Sequence, residues 1–481
     1  MNTEHKSISP AGSKQSGSCL AGFHLRRQLG LIAALCAGLG MWTPATLGRG
    51  AGLVPAGRPC GPPNYCARTD QRPEPYPNTP PAVGPAGSIV TDPNFGSRIV
   101  RVSDAKTDPQ RIGDSLVTPS SSQQNPWNST STKFYIMNMG GRVILYDFDP
   151  SSMKVRQSEP VRLSWGGEPQ FSYAQPGILY GLGSAFQQYD ISNRRITTIH
   201  DPSSCVKLSP SDHGYYGAAS ANDQRLLGVF GPRQDDNYLV YIFDREKGCR
   251  WFNTQSGEIG GKWGPKGVIS SSSHFGVHDA RLSMSGKFVA IAGGGTGPIL
   301  WEVDTMNVTL CSRQAPFFCG GHHALGYSHM VNPSLRKHPL DLVSRPLDGL
   351  AEFSPLITRL PETKAWYDQH ISWNNVNPED TNPACFSTYR PDNPDAPATP
   401  LKVTGPWENE IDCLEMDGKG SKVWRFAHTF STAKNGFWST PRGNVSPDGR
   451  FFMFTSDWQD QLGQVPNGKK YRTDAFIVEL R

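Results

Sequence analysis

Beyond residue 50 the chain contains no apolar run long enough to cross a bilayer, which excludes a polytopic membrane protein. No CxxC pair occurs, so a zinc-knuckle reading lacks its spacing. GxSxG, P-loop and HExxH signatures are missing too. The glycine-rich stretch at 293–297 falls between two β-like runs and reads as a hairpin loop rather than a phosphate cradle. Excess charge is also scarce. Of the formal net +5, residues 1–50 carry +4, from Lys6, Lys14, Arg26, Arg27 and Arg49 against Glu4. The rest of the chain is close to neutral, and nucleic acid is not expected as a partner.

What is abundant points to short strands and turns. Fifty glycines and 41 prolines accompany 10% aromatic residues in a chain of 481. Glycine supplies positive φ and proline presets a turn dihedral, while both disfavour long helices. The one strongly apolar run, residues 29–42, follows Arg26 and Arg27 and precedes the small residues of PATLG. That order describes an export signal over residues 1–50, with the mature chain periplasmic or extracellular and no integral membrane domain after its removal. Eight cysteines remain after it: Cys60, Cys66, Cys205, Cys249, Cys311, Cys319, Cys385 and Cys413. Structural disulfides in an oxidising compartment are the expected use, although spacing does not choose the connectivity. Residues 51–97 are rich in proline and glycine and read as an irregular arm.

From residue 98 onward one unit recurs: an approach segment, a polar turn, a short apolar run, then a second run that often ends in an aspartate-containing turn. Anchor positions at Phe134, Ile178, Leu226, Phe288, Met330, Phe386 and Phe451 are spaced by 44, 48, 62, 42, 56 and 65 residues. Such spacing suits four-stranded blades with inserted loops and predicts an all-β fold, a single β-propeller over 98–481. The count is seven, with six and eight as alternatives, and the fifth and sixth units match least well. The early run RIVRVSDA is placed to complete the last blade and close the ring.

These units resemble the WD40-like and TolB-like bacterial propellers, most clearly in NVSPDGRFFMFTSDW at 444–458, with LSMSGKFVA and ASANDQRLLGVF as divergent versions. The chain also resembles the oligogalacturonate-lyase-like propellers, through HHALGYSHMVN at 322–332 and WYDQHISWNN at 366–375. That resemblance implies β-elimination on uronate-containing oligosaccharides, with histidines and a glutamine near the channel holding a divalent metal (Mn, Fe or Zn). His323, His329 and His370 are the corresponding ligand candidates.

The first strand of a propeller blade lines the axis. Counting back from the anchors therefore puts Asn125, Gln170, His278, His323 and Arg442 at the channel, with His370 at a longer offset. His278, His323 or His370 is the expected base, Tyr327 the leaving-group acid and Arg442 the carboxylate partner. Trp366 and Trp373 are candidates to stack on a sugar, and His428 to approach from a loop. The bland reading makes each of these a structural residue between blades. The functional reading is then a carbohydrate-interacting propeller acting on an acidic oligosaccharide or polysaccharide. Its alternative is a noncatalytic surface or assembly protein that binds a cell-surface protein.

Overall fold

The computed structural model describes residues 60–481, apart from 159–160, 162, 164, 234–235, 270–274, 294–298, 311–321, 336–337, 351, 358–367, 390–404, 435 and 469. Among the described residues the regular elements are strands and two 3-10 turns, Pro202–Ser204 and Phe437–Ser439, and no helix is long and apolar enough to cross a membrane. The export segment expected at 1–50 lies outside the described residues.

The strands assemble into an all-β propeller. Six sheets are each drawn from one continuous segment. The first runs from Leu116–Val117 to Lys154–Gln157 and the second from Gln170–Phe171 to Arg195–His200. The third runs from His213–Ala219 to Gly267–Val268 and the fourth from Val277–Leu282 to Val308–Leu310. The fifth begins at Ala324–Leu325 and the sixth at Asp368–Ser372. The remaining sheet is composite: Asn444–Val445, Phe451–Ser456 and Asp474–Glu479 from the C-terminal end are continued by Arg98–Arg101 and Ile89–Thr91.

The expectation of seven like units therefore needs a correction. Six blades are continuous repeats, whereas the last sheet joins both ends of the chain and the third has grown to six strands. Ile99, Val100 and Arg101 pair antiparallel with Val478, Ile477 and Phe476. This pairing covers an edge that would otherwise present unpaired backbone groups.

Each anchor residue sits on the second strand of its sheet, where apolar side chains on both faces are covered by the neighbouring sheets. Every adjacent pair of sheets shares one apolar layer. Between the composite and first sheets it comprises Val100, Trp127, Phe134, Tyr146, Phe451 and Ile477 among others. Between the fourth and fifth sheets it is thin, with Ala290, Leu300, Leu325, Met330, Leu347 and Leu350.

The arm packs on this body from residue 60. A Cys60–Cys66 disulfide closes a small loop, and Tyr65 inserts edge-on between Trp424 and Phe426. Cys205–Cys249 and Cys385–Cys413 are also bonded. Cys311 and Cys319 lie outside the described residues.

The inner strands all run from one end of the channel to the other. In the sixth blade, Ile371 lines a large cavity at the start of that run, while Trp373 to Asn375 line a small one at its finish. The first blade departs from this regularity. Leu116 and Val117 pair with the end of Lys133–Asn138, and Trp127 bridges to its start at Phe134. Residues 118–124 loop out between these pairings, so that Ser120 to Gln124 reach the large cavity.

Candidate functional site

The large cavity, about 690 Å³, is the open end of the channel. All seven sheets supply part of its wall: Ser120 and Gln124, Glu168, Tyr215, His278 with Asp279 and Arg281, His322 and His323, His370, and Phe437 with Trp438. The volume falls in the range of sites that enclose a small organic ligand.

The strand Asp368–Ser372 presents alternate residues to opposite faces, and His370 points into a stack of rings. Its imidazole lies 4.3 Å from that of His322 and 5.1 Å from the Tyr389 ring, while the Phe437 edge stands 6.3 Å away. Thr440 Oγ1 is 3.4 Å from its Nε2. Burial disfavours a charge on this ring, and the positive charges of His322 and Arg442 add to that, so its pKa falls well below the ordinary histidine range.

His322 has the opposite environment. Burial again opposes its charge, but the hydrogen bond and charge of Asp368 and the carbonyl of Gln369 outweigh it, so its pKa rises. Its Nδ1 lies 3.4 Å from Asp368 Oδ1 and donates to the Gln369 carbonyl. Two stacked imidazoles are thus driven apart, one toward the neutral form and the other toward the charged form. This is the condition under which one group serves as base and its neighbour as acid.

Arg281 crosses the cavity wall, pairing with Asp279 at 3.1 Å and donating to Gln124 Oε1 at 3.0 Å. Facing it, Glu168 accepts from the backbone and hydroxyl of Ser120 at 2.7 and 3.0 Å. Burial raises the Glu168 pKa, partly offset by those two hydrogen bonds.

Of the sequence candidates, His278, His323 and His370 meet in this cavity. Gln170 lies deeper, beside a narrow void that also touches Arg281 and Trp373. Asn125 is fully buried and donates to the Phe171 carbonyl. Arg442 is a correction: it lies beneath the rim rather than on it, fully buried, and burial pushes its pKa down to about 10.

Tyr327 and His329 part from the group altogether. They occupy a turn whose backbone N–H groups all donate to Asp380, with His329 Nδ1 3.3 Å from the same carboxylate. His428 is buried under the arm between Asp92 and the Glu74 carbonyl. Trp373 is buried with its Nε1 donating to the Asn382 carbonyl, and Trp366 lies outside the described residues.

The donor set does not suit the metal implied by the resemblance. Among the described residues no group of three or more His, Cys, Asp or Glu side chains is arranged to hold an ion. His329 is held on Asp380 rather than in the cavity. The rings of His322 and His370 stack at 27°, so their in-plane lone pairs run nearly parallel instead of converging at the roughly 2 Å a metal requires.

Residue order alone missed Glu168, Arg281, Asp368 as the partner of His322, and the Phe437–Trp438 rim. Glu168 stands two residues before Gln170, a strand-period hint. Asp368 lies two before His370, the same hint. No family model and no curated protein matches the chain.

Among solved structures, an oligogalacturonate lyase from Vibrio parahaemolyticus is 12% identical with a TM-score of 0.49, covering 83% of this chain and 98% of that one. An oligogalacturonate lyase in complex with manganese is 12% identical with a TM-score of 0.46, covering 86% and 98%. The WD40 repeats of RRP9 are 10% identical with a TM-score of 0.42, covering 82% and 100%. The chain is distantly similar to WD40-like and TolB-like β-propellers and to oligogalacturonate lyases, while its propeller architecture stands on its own sheet topology.

Proposed function

We propose that the protein is an exported, carbohydrate-interacting propeller that takes an acidic oligosaccharide into the open end of its channel and cleaves it by β-elimination. We count the composite sheet as a seventh blade, so that the ring is closed around this site. The observation that carries the reading is the meeting of His370, His322 and Arg281 in one cavity walled by every sheet. The apolar run near the N-terminus and the disulfides support export.

In this reading Arg281, 4% exposed and reaching the cavity, neutralises the uronate carboxylate and so acidifies the neighbouring C5 proton. Neutral His370 removes that proton, and its electron pair becomes the C4=C5 double bond as the C4–O bond breaks. His322 donates its proton to the departing oxygen. Asp368 and the Gln369 carbonyl hold its Nδ1–H and leave Nε2 to act. No metal is needed in any of these steps.

The test is incubation of the full chain with galacturonate oligomers, followed by ultraviolet absorbance of the unsaturated product. Product that forms equally with manganese and with a chelator supports this mechanism. Binding without product would replace it by a noncatalytic glycan-binding propeller, and absence of both would overturn the carbohydrate reading. Equal turnover by His370→Ala would remove His370 as the base.

A further inference from the structure

The rim of the open end carries two exposed aromatic rings, Phe437 at 46% and Trp438 at 39% exposure. They occupy the short turn Phe437–Ser439 and meet edge to face at 5.3 Å. An exposed turn of this length has few contacts of its own, yet this one is held from beneath by a buried cation. The Arg442 guanidinium lies 4.5 Å from the Phe437 ring centre and 4.7 Å from that of Trp438. It donates Nη1 to the Phe437 carbonyl and Nη2 to the Trp438 carbonyl, the latter at 3.4 Å. Thr440 Oγ1 donates to the Phe437 carbonyl at 2.8 Å and also faces His370. Desolvating a guanidinium is costly, and here the charge of Glu168, the two aromatic faces and the two turn carbonyls offset it in part.

We propose that Phe437 and Trp438 form a stacking platform for one pyranose ring of an acidic oligosaccharide, with Arg442 as its positioning residue. The inference rests on the carbohydrate reading of the open end and names where that ligand is gripped. A sugar ring has an apolar C–H face and a polar edge. The site offers the same division, since the aromatic rim adjoins a wall of Ser120, Gln124, Arg281 and His370. A wholly apolar ligand would strip water from the polar wall and offer its groups nothing in return, and a small inorganic anion would leave the aromatic surface unused. A ring on the platform also lies beside His370, because the Phe437 edge points at that imidazole.

The test is calorimetric titration of the full chain with a galacturonate trimer and, separately, a glucose trimer. Trp438→Ala is expected to weaken binding of the galacturonate trimer by roughly tenfold or more, while Trp438→Phe keeps most of the affinity. Ligand-dependent quenching of tryptophan fluorescence should be clear in the native chain and diminished in Trp438→Phe. Arg442→Lys keeps a charge but loses the planar fork, and is expected to weaken binding as Trp438→Ala does, with a thermal melt confirming that it folds. Unchanged affinity in Trp438→Ala overturns the platform and leaves the carbohydrate reading standing. Unchanged affinity in a folded Arg442→Lys removes Arg442 from its role. If the native chain binds neither trimer, both readings fall; if it prefers the glucose trimer, the acidic-ligand assignment falls.

Discussion

The cavity at the open end of the channel and the small void at the other end, between the sixth and composite sheets, hold different chemistry. At the open end, ionisable groups line a cavity of about 690 Å³. At the other, the void is about 180 Å³ and its wall is mainly amides, prolines and Trp373. There Asn374 donates to the Val445 carbonyl and accepts from Tyr173 at 3.2 Å. Asn375 and the turn at Tyr327 to His329 bind Asp380, whose pKa is lowered because His329 and the turn N–H groups outweigh its burial. Polar groups that face only one another hold the ring together, whereas those that also face a large cavity are placed to meet a ligand.

The largest expected effect lies at the open end. His370→Ala should lower product formation by roughly 10²- to 10⁴-fold, as loss of a general base does, while a melting curve shows the ring intact. An unaltered rate would make this end as structural as the other.

The loop that leads to the aromatic rim is tied at Thr432, whose backbone N–H and hydroxyl donate to Asp457. Burial raises the Asp457 pKa to about 6, against those hydrogen bonds. A carboxyl raised in the folded state binds its proton more tightly there than when unfolded. Its contribution to stability is therefore complete below about pH 4 and is lost as pH rises through about 6. Asp457→Asn should flatten that decline, which corresponds to roughly 3 kcal/mol. Chemical denaturation at a series of pH values measures it, and an unchanged slope would exclude Asp457 as the source.

At the small void the signature reverses. Asn374→Ala is expected to cost roughly 1–3 kcal/mol in denaturation, because it strands the Val445 carbonyl and the Tyr173 hydroxyl, with oligosaccharide affinity unchanged. A loss of affinity without a loss of stability would break the division between the ends. The smallest effect is expected for Tyr65→Phe, which removes only the hydrogen bond from the arm to the Gly449 carbonyl, at roughly 0.5–1.5 kcal/mol in the same measurement.

The repeat was legible because a blade's second strand must be apolar on both faces. Phe134, Ile178, Leu226, Phe288, Met330, Phe386 and Phe451 therefore stand out at blade-like intervals. Composite closure was legible in RIVRVSDA because a strand-like run stands ahead of the first full unit and is free to pair with the last. The site was legible only in part. Counting back along an inner strand found His278, His323 and His370, because each lies close to its own blade's strand. It misplaced Arg442, which turns under a rim that the preceding residues form. It also joined His329 to His323 through sequence proximity, although a tight turn bound to Asp380 separates them.

The sequence by itself therefore determined the all-β repeat, the strand that closes it and the histidine-bearing segments, since these follow from local periodicity and turn chemistry. Only the tertiary structure decided which side chains share a cavity. His322 and His370 stack, Arg442 supports Phe437 and Trp438, and residues 118–124 reach the channel, because segments from separate blades converge on one axis. Spacing along a single chain does not encode that convergence.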